Sequence, residues 1–225
     1  MKRLLSLIVL VAMLAAILAG CGEKAPETMT FDEFDQKYRR ADYDAFLADP
    51  SEFINDLMAV NRQAKCAPDG LPMNDGWESI YDGSNEEKGY ISSIMETDCV
   101  LFNKPCEYNA DVIIYEKENT ASYSLSVQIE TGDTQKDLDL AKALYLCCLD
   151  KIGEPTDVTI EYEDAKEADV LRILDGKSSP KGFFVSFGYT TYLSFYAFEN
   201  KYGADKGTFN THVTIYATPA PDLSE

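Results

Sequence analysis

Residues 122–155 read SYSLSVQIE, TGD, TQKDLDLAKALYLCCLDKI and GEP, and they set two periodicities side by side. In the first segment Tyr123, Leu125, Val127 and Ile129 alternate with Ser122, Ser124, Ser126 and Gln128. A period of two belongs to a strand with one buried and one wet face. From Thr134 the period becomes helical, with Leu138, Ala141, Tyr145, Cys148, Leu149 and Ile152 on one stripe. Thr134-Gln135-Lys136-Asp137 reads as the helix cap. Gly153 stands where a C-terminal cap belongs, and Pro155 blocks continuation. A half-wet strand running into an amphipathic helix predicts a sheet that carries helices on one face.

Working outward, Tyr108–Tyr115 supplies the other arm of a hairpin, with Lys117-Glu118-Asn119 as its turn. Shorter strand candidates precede it at Ser79–Tyr81, Tyr90–Met95 and Cys99–Phe102, with a turn expected at Asp82-Gly83. Further upstream, Thr30-Phe31-Asp32-Glu33 reads as a capping box opening a first helix. A second helix follows Pro50 with Phe53, Ile54, Leu57, Met58 and Val60 as its stripe, so N-terminal helices occupy 30–64. Ala67–Gly76 is rich in Pro and Asp-Gly steps and reads as a loop. Downstream come a strand at 157–162, a weaker helix at Lys166–Leu174, and three alternating strands around Phe183–Phe187, Leu193–Ala197 and Phe209–Ile215. Hairpins dominate over β-α-β alternation. The expected fold is α+β, a largely antiparallel sheet with helices packed on one face, preceded by two N-terminal helices, in a single domain over 30–217. A loose tail with two prolines follows at 218–225.

The first residues carry an address. Lys2 and Arg3 precede an apolar run from Leu4 to Ala19, broken only by Ser6, and small residues follow. That is the layout of a secretory signal peptide, too short to span a bilayer as a helix. The run ends in Leu18-Ala19-Gly20-Cys21, which resembles the lipobox of bacterial lipoproteins. The resemblance implies cleavage after residue 20 and a lipidated Cys21 as the mature first residue. It places the protein extracytoplasmically, anchored to a bacterial membrane by a lipid. Residues 21–29 form a short polar tether, of which Gly22–Met29 reaches about 26 Å when extended. The body also resembles small secreted bacterial lipoproteins of undefined function, through Leu101-Phe102-Asn103-Lys104-Pro105-Cys106, the hairpin, the helix and Lys151-Ile152-Gly153-Glu154-Pro155-Thr156. Asn103 and Ile152 depart from the glycine and tyrosine usual there, and this likeness implies no activity.

Composition excludes several classes. The formal charge of −19 becomes −21 once Lys2 and Arg3 leave with the signal peptide. So acidic a chain does not suit nucleic acid, and it does not lie flat on an anionic membrane, which leaves the lipid on Cys21 as the attachment. No G-x-S-x-G, H-E-x-x-H, phosphate loop or dinucleotide fingerprint occurs, and no cofactor or metal is implied. His212, the single histidine, reads as a half-exposed strand residue. Ser178-Ser179-Pro180-Lys181 matches S-x-x-K only formally. The acidic runs 82–87 and 161–169 read as solvated surface, with a calcium loop as the alternative for the first.

Two sets of residues remain as candidates. Besides Cys21 there are five cysteines, an odd number, and Cys99 and Cys106 could be cross-strand neighbours joined by a disulfide. The adjacent Cys147 and Cys148 point about 100° apart on a helix and do not suit each other. Tyr189, Tyr192, Tyr196, Phe198 and Tyr216 include residues on the less obviously buried face of the last strands. Tyr192 and Tyr196 are the candidate ligand contacts there, unless a helical layer covers them. The leading reading is a non-enzymatic binding or accessory module with an envelope protein or carbohydrate as partner. The alternatives are an envelope-acting hydrolase with an unrecognised carboxylate or metal site, and an inhibitor-like protein. Cys21→Ala should release the protein from membranes, as cell fractionation will show; a variant retained uncleaved in the membrane fraction would contradict the lipobox reading.

Overall fold

The computed structural model describes residues 28–62, 78–85, 89–115, 120–188 and 190–219, with 78–85, 89–99, 105, 108–115 and 120–124 as backbone only. Three helices come first, α1 (Phe31–Tyr38), α2 (Tyr43–Ala48) and α3 (Ser51–Arg62). Four strands follow, β1 (Glu78–Asn85), β2 (Gly89–Leu101), β3 (Lys104–Tyr115) and β4 (Thr120–Ile129). Then come α4 (Thr134–Lys151), β5 (Asp157–Ile160), β6 (Glu163–Asp164), α5 (Glu167–Leu174), β7 (Phe183–Phe187), β8 (Thr191–Glu199) and β9 (Phe209–Ala217). All strands pair antiparallel in one sheet of order β1-β2-β3-β4-β9-β8-β7-β5-β6. The fold is α+β, as the alternating patterns require.

Several local readings change. The capping box at Thr30 is present, with Glu33 N–H donating to Thr30 Oγ1 at 3.3 Å and the Thr30 N–H donating to the Glu33 carboxylate at 2.9 Å. A short helix, α2, also lies between the two expected from the sequence, opened by Asp42, whose carboxylate accepts from the Ala45 N–H. The cap of α4 is Asp133 rather than the Thr134 segment, because its carboxylate accepts from Gln135 N–H and Lys136 N–H. The expected turn at Asp82-Gly83 is not there. The strand absorbs those residues in a register irregularity between Asp82 and Asn85 and continues to the latter. The candidates Tyr90–Met95 and Cys99–Phe102 are one strand, β2, joined through a bulge between Glu96 and Cys99.

The last described strand lies in the middle of the sheet. β9 pairs with β8 along its length but with β4 through only four residues, Ser126–Ile129 against Val213–Tyr216. Parity then sets the faces. Leu125, Val127, Ile129, Phe183, Val185, Phe187, Leu193, Phe195, Val213, Ile215 and Ala217 are buried and share the core with the helices. α4 packs over β8 and β9, and α3 over β4 and β9. Because α4 also touches α2 and α5, Leu140 and Leu144 are buried beyond the stripe read from sequence.

Two polar side chains secure the narrow β4–β9 seam. Asn61 on α3 is buried and donates Nδ2–H to the carbonyls of Leu125 (3.1 Å) and Ala217 (2.6 Å), while Leu125 N–H donates to its Oδ1 at 2.7 Å. These two residues stand where the next ladder pair would form, so an amide side chain replaces a missing strand contact. At the other end the fully buried carboxylate of Asp137 accepts from Thr131 N–H (3.0 Å), Thr131 Oγ1 (2.7 Å) and Thr211 Oγ1, tying the exit of β4 to β9 and to α4.

The β2–β3 turn is clasped by the helical layer. Phe102 and Asn103 have φ of 53° and 55°, a conformation that costs a bulky residue strain. Phe102 is nevertheless buried and stacks on Phe46 at 4.0 Å, while its N–H donates to Tyr38 O at 2.8 Å. Packing offsets the strain. Phe102→Ala should therefore cost about 3–5 kcal/mol in urea unfolding, and Phe102→Gly about 1 kcal/mol less, because glycine tolerates positive φ. A glycine variant less stable than the alanine variant would contradict this.

Candidate functional site

With the helices on one side, the opposite face of β7, β8 and β9 is left without a helical cover among the described residues. Strand alternation sends Phe184, Ser186, Tyr192, Ser194, Tyr196, Phe198, Asn210, His212, Thr214 and Tyr216 to this outer face. Tyr196 is 43% exposed and Phe198 52%, while Phe184, Tyr192, His212 and Tyr216 are half-buried. Register organises them into two stacks. Tyr192 stands opposite Tyr216, with ring centroids 5.0 Å apart and planes 17° apart, and Phe184 stacks on the other side of Tyr192 at 5.4 Å. Tyr196 stands opposite His212, with centroids 4.6 Å apart and planes 8° apart.

Between the stacks runs a row of small polar residues. Ser194 lies opposite Thr214, and Thr214 lies opposite Gln128. Gln128 lies opposite Glu107, to which its Nε2–H donates at 3.3 Å. Tyr192 and Tyr196 are four residues apart on one strand, so the aromatic walls are separated by roughly 13 Å. The result is a shallow trough across the strands, with hydroxyls and an amide on its floor and aromatic rings along both sides. Rings that stack on one another turn their edges and polar tips outward. The centre of the trough carries no charge; Glu107 and the exposed Asp157 on β5, whose pairing with Ser186 puts it on the same face, mark its two sides.

His212 is set by this environment. Burial lowers its pKa from the ordinary 6.5, against the opposing pull of Glu130, Asp137 and Glu107, so the ring is neutral at pH 7. Among the described residues its stacking partner is the Tyr196 ring. Among the described residues, no group of three His, Cys, Asp or Glu side chains is placed to hold a metal ion.

Two other concavities lie on the helical side of the molecule or at its edge. One open groove of about 440 Å³ is lined by Leu47, Asp49, Pro50, Leu146, Cys147 and Lys151. Another, of about 350 Å³, gathers Glu161, Glu163, Asp164 and Asp169 with Arg172 and Lys181. Its carboxylates are exposed, and Glu161 is paired to Lys181 at 2.8 Å, so water and an ion pair satisfy them. That is the solvated character expected of residues 161–169.

The candidates from sequence are distributed as follows. Tyr192 and Tyr196 fall on the face opposite the helices, each in a different stack. Cys99 and Cys106 lie directly opposite each other in the β2–β3 ladder, and Cys106 is buried. Cys21, the signal peptide, most of the tether, Tyr189 and most of the tail lie outside the described residues. Phe184 and the Ser194–Thr214–Gln128 floor were missed. Strict parity across three strands would have found Phe184, but the alignment of the polar row depends on register, which no single strand encodes. No family model, curated protein or solved structure matches the chain. Among the described residues no helix is long and apolar enough to cross a membrane.

The stacked, half-buried imidazole makes a pH prediction. An unfolded chain binds the His212 proton at higher pH than the folded one does. Stability from this site is therefore complete above about pH 6.5 and lost as pH falls through the lower folded value. With one histidine in the chain, an NMR titration reads it directly; a midpoint at or above 6.5 would contradict the burial of the ring.

Proposed function

We propose that this chain is a bacterial lipoprotein, held at the extracytoplasmic side of a membrane by a lipid on Cys21, that works as a non-enzymatic binding module. The observation that carries the binding reading is the trough between the Phe184–Tyr192–Tyr216 and Tyr196–His212 stacks, which no helix covers among the described residues. Exposed aromatic groups such as Tyr196 and Phe198 suit contact with a partner. The chemistry of the trough selects among partners. In a chain of charge −19 its floor is neutral and built of hydroxyl and amide groups. A charged polymer gains nothing there. An extended peptide would need unpaired strand edges to satisfy its backbone, but along the floor Ser194 is paired with both Phe184 and Thr214, and Thr214 with both Ser194 and Gln128. A neutral glycan brings its own hydroxyls and apolar C–H faces, and it matches both the floor and the walls. A lipid on Cys21 and a tether of a few nanometres would keep this face among the polysaccharides of the envelope.

Electrophoresis of the purified protein through gels cast with neutral glucan, mannan or galactan tests the assignment. Retardation is expected in at least one gel. Tyr192→Ala and Tyr196→Ala should each weaken that binding about tenfold, equivalent to ~1.4 kcal/mol, with little change in thermal midpoint. Unretarded migration in all three gels would remove the glycan assignment, and full binding by both variants would remove this face as the site.

A further inference from the structure

We infer that Cys99 and Cys106 are joined by a disulfide that closes the β2–β3 hairpin behind the Phe102 turn. The ladder carries the inference. Glu96 faces Tyr108, but two residues further along β3 the partner of Cys106 is Cys99, because β2 holds one extra residue between the two pairs. Without that bulge Asp98 would stand opposite Cys106. The bulge thus sets one cysteine directly across from the other, and bulges are features that re-aim a position rather than accidents of pairing. Directly opposed residues of an antiparallel pair have Cα atoms about 4.5–5.5 Å apart, inside the roughly 4.4–6.8 Å range that a disulfide spans. Cys106 is also opposite Ile129 on the helix-covered face, where a bridge would be shielded from exchange.

The remaining described cysteines do not compete. Cys148 is buried in the core on α4, and burial pushes its thiol up to about 12. Burial also raises its neighbour Cys147. Thiols held protonated are poor nucleophiles and poor exchange partners. The bridged segment contains Phe102 and Asn103, both at positive φ; Phe102 docks against Phe46 and Tyr38, and the Asn103 N–H donates to the Arg39 carbonyl. A covalent tie there holds both strands while the strained turn is formed.

In the bridging step one cysteine thiolate attacks the disulfide of an extracytoplasmic thiol–disulfide oxidant. The second thiolate then displaces that protein. One S–S bond forms here and one is lost in the oxidant, which leaves as a dithiol carrying the two electrons and two protons. In cells this step rests on the extracytoplasmic reading of the leader, so the test has two arms. In the first, cells expressing the full chain are acid-quenched, alkylated without reductant and peptide-mapped. In the second, the purified chain is reduced, refolded in a glutathione redox buffer and mapped in the same way. The expected result in both is a crosslinked peptide pair containing Cys99 and Cys106, lighter by about 2 Da than the sum of its thiol forms. A bridge formed on refolding but absent in cells supports the disulfide and overturns the extracytoplasmic placement. Alkylated Cys99 and Cys106 after refolding, or a crosslink from either one to Cys66, overturns the disulfide itself.

Discussion

The two halves of the sheet are held together by a seam four residues long. β1 to β4 form one antiparallel meander and β5 to β8 the other side, and β9 joins them by pairing with β8 along its length and with β4 only at Ser126–Ile129. So short a ladder supplies few backbone hydrogen bonds. The helical layer therefore adds to it from both ends. Asn61 supplies an amide where the ladder stops, and Asp137 gathers Thr131 and Thr211 at the opposite end. Each buried polar group left unpaired there would cost roughly 1–3 kcal/mol. The seam, α3 and α4 thus stand or fall as a unit.

This arrangement explains why one face is wet. α3 must lie over β4 and β9 to deliver Asn61, and α4 must lie over β8 and β9 to deliver Asp137. The aliphatic and aromatic residues of odd parity follow them into the core, and the even-numbered positions of β8 and β9 are left on the other side. Tyr192, Tyr196, Phe198 and Tyr216 are outward because their neighbours along each strand are needed inward. The trough is therefore a consequence of how the seam is secured, and its neutral floor sits within a strongly acidic chain.

The helical layer reaches the sheet at a second place, the β2–β3 turn. Phe102 adopts a conformation suited to glycine and is held there by Phe46, Phe53 and the Tyr38 carbonyl. The bulge a few residues away in β2 brings Cys99 opposite Cys106. Local strain, a register shift and a buried aromatic contact are concentrated in the stretch from Glu96 to Cys106, where tertiary contacts outweigh intrinsic turn preference.

Much of the fold was legible because it rests on local periodicity. The period of two in Ser122–Glu130 and the helical stripe from Leu138 to Ile152 established strand, helix and the one-sided layering between them. Other features were beyond that reach. Asp133 displaced Thr134 as a cap because local geometry chose between neighbouring acceptors, and Leu140 and Leu144 were buried by helices distant in sequence. The aromatic face was visible as a set of outward positions. Its division into two stacks, the polar row between them and the opposition of Cys99 to Cys106 depended on register, which is fixed by contacts between strands far apart in the chain. The sequence alone determined which residues could face water; only the tertiary structure decided which of them stand side by side, because a strand's alternation is local and its pairing is not.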